Sequence, residues 1–149
     1  QSHLEVVLAA AREAGALSGV HCCDQRVPVA LLRRAGADLI SVDLQAMHGS
    51  EEEALGHVID SGGTAMLGVV PALPVSAPAR AVAERAAQRV LDQYSRWGFS
   101  AEAANPRVSI SPACGLAGAD PSWARTAYAA VREAGRLLRE DAGVPEELS

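Results

Sequence analysis

The chain has 149 residues, 49% hydrophobic and 21% charged, with a formal net charge of −5, a composition that describes one globular domain spanning 1–149 with a core of its own and excludes a disordered or fibrous segment. Thirteen Lys and Arg in an acidic chain with two Trp, two Tyr and one Phe do not supply the basic stripe and stacking platforms of a nucleic-acid binder, and no run approaches the ~18 apolar residues of a membrane span. The first residues show neither a basic leader nor a small-residue cleavage site, so a cytoplasmic protein with no nucleic-acid or membrane partner is expected.

Short β-like runs alternate with amphipathic stretches along the sequence, the pattern that builds a parallel sheet covered by helices. A helix at about 3–14, with His3, Leu4, Val7, Leu8 and Ala11 on one face, leads into a strand at about 17–23. Pro28 suits the first turn of a helix at about 28–35, which Ala35-Gly36 closes. Asp38 to Leu44 reads as the second strand. The helix after it starts near Ser50, with Glu51, Glu52 and Glu53 on its positive end, and stops at Gly62-Gly63. Thr64 to Val70 is the third strand, and a long helix from about 79 to 97 follows the loop from Pro71 to Pro78. Val108 to Ser111 is the fourth strand, and the last helix runs from about Ser122 to Asp141 with Asp120 or Ser122 as its cap.

Alternate side chains of a strand point to opposite faces of the sheet. Ile40, Val42 and Leu44 then share one face, as do Val20 with Cys22 and Val108 with Ile110, and this face is expected under helices. Ser41 and Asp43, His21 and Cys23, and Ser109 and Ser111 fall on the other. A parallel sheet with helices on one face and polar groups on the other resembles the wall of a (β/α)8 barrel, whose active site lies at the strand C-termini. Four strands, each followed by a helix, make half of one. Because a whole barrel takes ~250 residues, the chain is expected either to belong with an N-terminal half or to cover its open edges by self-association.

Three cysteines, two of them adjacent at Cys22 and Cys23, do not make an even disulfide framework and point to thiol or metal chemistry. His21 and Cys23 sit two apart at a strand end, Asp43 ends the next strand, and Cys114 follows the last. Together they offer N, S, O and S donors, a borderline-soft mixture that favours zinc over magnesium or calcium. In a flat sheet the first and fourth strands lie about 14 Å apart, too far for bonds of about 2.0–2.3 Å to one ion, so convergence requires a curved wall.

The segments His21-Cys22-Cys23, Ala37 to Asp43 and Ser111-Pro-Ala-Cys-Gly-Leu116 resemble the catalytic barrel of cobalamin-independent methionine synthase, a likeness that covers nearly the whole chain. The resemblance implies the C-terminal half of a TIM barrel, with His21, Cys23, Asp43 and Cys114 as zinc ligands. It further implies methyl transfer from 5-methyltetrahydrofolate to homocysteine, whose sulfur zinc holds as a thiolate, with Asp43 the ligand that the incoming thiol displaces. The chain departs from the family pattern at two places. Asp43 stands where Glu is usual and is one methylene shorter, and Gly68 to Leu73 has no Asp-x-His for acid chemistry on the folate.

Two other readings stay open. One is a non-enzymatic zinc-binding half-barrel that self-associates, and the other is a plain α/β domain with incidental cysteines. Cys22 is expected in the core. His48 and His57 read as surface or core side chains, Trp97 and Trp123 as packing, and Asp24 as a loop charge or an acceptor that orients His21.

Overall fold

The computed structural model describes residues 2–143. Four strands, β1 (Gly19–Cys22), β2 (Leu39–Asp43), β3 (Thr64–Val70) and β4 (Val108–Pro112), form one parallel sheet in the order β1-β2-β3-β4. Helix α1 (His3–Glu13) precedes β1. Helices α2 (Val29–Arg34), α3 (Ser50–Asp60) and α4 (Ala79–Trp97) connect the strands in turn, and α6 (Pro121–Asp141) follows β4. A four-residue helix α5 (Ala101–Ala104) and a single 3-10 turn at Asn105–Arg107, which the hydrophobic pattern does not announce, lie between α4 and β4. Parallel strands in sequence order alternating with helices constitute half of a (β/α)8 barrel.

The expected strand faces are the ones observed. Ile40, Val42 and Leu44 from β2 and its end, with Ala65, Leu67 and Val69 from β3, are buried beneath Leu32, Leu55, Ile59, Val82, Val90 and Trp123 of the helical layer. Val20, Cys22, Val108 and Ile110 pack against the same core from the edge strands. Small residues line the seam between α4 and α6: Ala83 and Ala87 on one helix, Ala127, Ala130 and Ala134 on the other, all buried. Asp120, not Ser122, caps α6. Its Oδ1 accepts from the N–H groups of Ser122 and Trp123, each at 2.8 Å, with Pro121 in the first turn where no N–H is needed.

The face expected for α1 is only partly covered. Leu8 is buried and Leu4 half-buried, but His3 is exposed and Val7 is 64% exposed. Helical spacing decides which residues share a stripe, whereas burial needs a neighbouring element. Val7 is not covered by any element among the described residues.

One irregularity sets up the far end of the sheet. The β3–β4 register shifts between Gly68 and Val70, and the Ala113 N–H donates to the Val70 carbonyl at 2.8 Å. A Cβ at Gly68 would stand 2.6 Å from Ala113 Cα and 2.8 Å from the Val42 carbonyl oxygen, so the segment leaving β4 runs directly against the glycine backbone.

Candidate metal centre

Strand alternation divides the vicinal cysteines. Cys22 packs on the core side, while His21 and Cys23, one residue beyond β1, are exposed on the other. At the opposite margin, the chain leaving β4 passes over Gly68 and turns at Cys114, which is half-buried. The donor atoms of His21, Cys23 and Cys114 lie within 4.8 Å of one another. Since a flat sheet would hold these margins about 14 Å apart, the wall is curved as the sequence required.

This set fits a zinc-sized ion. Tetrahedral bonds of about 2.0–2.1 Å to nitrogen and about 2.3 Å to sulfur put donors roughly 3.5–3.8 Å from one another, within about an ångström of the spacing found. The Cys114 side chain also perturbs the Cys23 thiol. A hydrogen bond and the charge interaction with Cys114, followed by desolvation, raise the Cys23 thiol above its ordinary value of 9.0. Without a cation the Cys23 thiol therefore holds its proton more firmly, a proton that a divalent cation would displace.

His21 is oriented from the neighbouring strand. Ser41 Oγ lies 2.9 Å from His21 Nδ1, and the two residues stand directly opposite each other in the β1–β2 register. The sequence placed Ser41 on the inner face but gave no sign of this partnership, which depends on strand register. Asp24 is engaged elsewhere, accepting from the Arg26 N–H at 2.8 Å, so the part of orienting His21 falls to Ser41.

Asp43 is not in the group of three. It ends β2 half-buried, and its Oδ1 accepts from the Gln45 N–H at 2.8 Å, closing a turn two residues on as a short acidic side chain readily does. His48 and His57 are exposed and outside the group. Beside it opens a cleft of about 220 Å³ lined by His21, Ser111, Pro112, Cys114, Gly115, Leu116 and Tyr128.

A model of the family described as cobalamin-independent synthase, catalytic domain, matches residues 7–137, a span that contains every strand and all three converging donors. The chain belongs to that family. It is a catalytic domain of the cobalamin-independent methionine synthase type. Among curated proteins no relative matches the chain. Within this synthase-type domain the segment Gly68 to Leu73 carries no titratable side chain. Val69 and Val70 are buried there, and the Pro71 carbonyl accepts from the Trp123 indole N–H at 3.2 Å, so the segment anchors α6. No helix among the described residues is long and apolar enough to cross a membrane.

Proposed function

We propose that the chain is a zinc-dependent methyltransferase domain that passes a methyl group from a 5-methyltetrahydrofolate donor to the thiol of homocysteine. The observation that carries this reading is the convergence of one imidazole and two thiols from opposite margins of the sheet, in a chain of the cobalamin-independent synthase family. His21, Cys23 and Cys114 would hold the metal, leaving one position of a tetrahedron open. Bound there, zinc would keep an incoming thiol deprotonated at neutral pH, where a free thiol with a pKa near ~8.5 is mostly protonated. Asp43 is the hard donor proposed for the open position. One of its oxygens is tied to Gln45, and the other would be the hard ligand that a softer sulfur displaces. The exposed faces of His21 and Cys23 and the cleft beside Cys114 leave room for a small thiol to approach.

Metal analysis tests the proposal. Protein purified without added metal is expected to carry about one zinc per chain, lost in Cys114→Ala, and, once supplied with a complementary N-terminal half, to form methionine from homocysteine and the methyl donor. Failure of the reduced protein to take up zinc would overturn it. A second reading, a metal-binding half-barrel that associates with a copy of itself without turnover, is favoured by exposed apolar groups. Val6 and Val7 on α1, Leu17 before β1 and Tyr128 on α6 are 54–92% exposed. Zinc uptake by a dimer that never methylates homocysteine, even when supplied with a complementary N-terminal half, would select it.

A further inference from the structure

We infer that Ser41 is a positioning residue that fixes the tautomer of His21, directing the lone pair of Nε2 toward Cys23 and Cys114. The inference rests on the metal-centre reading above. A neutral imidazole carries one N–H and one lone pair, and only the nitrogen with the lone pair can bind a metal. Ser41 Oγ occupies the Nδ1 side at 2.9 Å. When that hydroxyl accepts from Nδ1–H, the lone pair is left on Nε2. The reverse arrangement, with the serine donating, would put the hydrogen on Nε2 and close the ring to a metal.

The setting makes the contact a fixed one. Ser41 is 8% exposed, in the middle of a strand flanked on both sides by others. It is paired in register with His21, so the backbone ladder holds the two residues side by side. His21 by contrast is exposed on an edge strand, where an imidazole held only by its own backbone would turn about its side-chain bonds. A hydrogen bond to the second ring nitrogen limits that rotation and selects the tautomer together. The bland alternative is that Ser41 merely satisfies its own buried hydroxyl, and it predicts no effect on the ring's proton or on metal uptake.

The experiment reads both. Long-range nitrogen–proton NMR correlation on the metal-free, reduced protein, at a pH where the imidazole is neutral, reports which His21 nitrogen bears the hydrogen. Nδ1 is expected in the wild type, with a shift toward Nε2 in Ser41→Ala. Zinc affinity, measured by competition with a chromophoric chelator, is expected to fall about 10–100-fold in that variant. Ser109→Ala, an exposed serine of β4, should change neither. Finding the hydrogen on Nε2 in the wild type would overturn the inference whether or not the variant folds. So would a folded Ser41→Ala protein with unaltered zinc affinity. If the wild type takes up no zinc, the metal reading fails, and the tautomer shift alone still decides the role of Ser41.

Discussion

At the end where the strands begin, hydrogen bonds tie neighbouring segments together. The Ser18 N–H and hydroxyl both donate to Asp38 Oδ2 at 2.8 and 2.9 Å, Arg12 reaches the Gly36 carbonyl, and Arg107 reaches the Gly62 carbonyl at 2.8 Å. At the end where the strands finish, the side chains brought together are His21, Cys23 and Cys114, two of them exposed and with Ser41 as their support from the sheet. The contrast teaches a division of labour along the strand axis. One end is fastened, while the other gathers its metal-binding side chains where a ligand can reach them, as barrels generally arrange their faces.

Substitutions can test that division. The largest loss of stability is expected midway between the ends. Leu67→Ala removes a fully buried β3 side chain and should cost about 2–5 kcal/mol in urea unfolding, weakening both ends together. Gly68→Ala should come next, at roughly 1–3 kcal/mol, because its methyl meets backbone rather than a movable side chain. Since Ala113 must shift, zinc affinity should fall with it. Gly115→Ala, where an added Cβ meets nothing within 4 Å, should stay within about 0.5 kcal/mol of the wild type.

At the fastened end the expected effect appears only in acid. The Ser18 N–H and hydroxyl hold the Asp38 carboxyl below its ordinary value of 3.8. Asp38 therefore contributes stability that is fully present above pH 3.8 and is lost as the pH falls through the lowered value. Asp38→Asn should flatten the acid limb of a stability–pH curve and leave its slope above neutrality unchanged. The smallest effect on folding belongs to the open end. Cys23→Ala in metal-free protein should shift stability by no more than about 0.5 kcal/mol while abolishing tight zinc binding, a dissociation that chelator titration and urea unfolding together would reveal.

Much of this plan was legible before any coordinates. The limits of β3 and α4 fell where Gly63 and the loop from Pro71 to Pro78 place them, and the inner and outer faces of β1, β2 and β4 followed from alternation of two. The meeting of His21, Cys23 and Cys114 was readable because strand C-termini share one mouth. Three features were not. Val7 belongs to an apolar stripe but lacks a neighbour to cover it. Ser41 acquires its partner only through inter-strand register, which no local pattern encodes. The turn that engages Asp43 competes for its carboxylate with any ion, and sequence does not rank a backbone N–H against a metal.

The donors' placement on the first and last strands has a mechanical consequence. An ion seated among them would act as a clasp across the mouth, linking the sheet's two outer margins and gathering nearly all the intervening chain into a closed ring. Fraying of β1, the shortest strand and one with an open flank, would then require the clasp to open first. Backbone amides of β1 should accordingly exchange their hydrogens more slowly in the loaded protein than in the metal-free one.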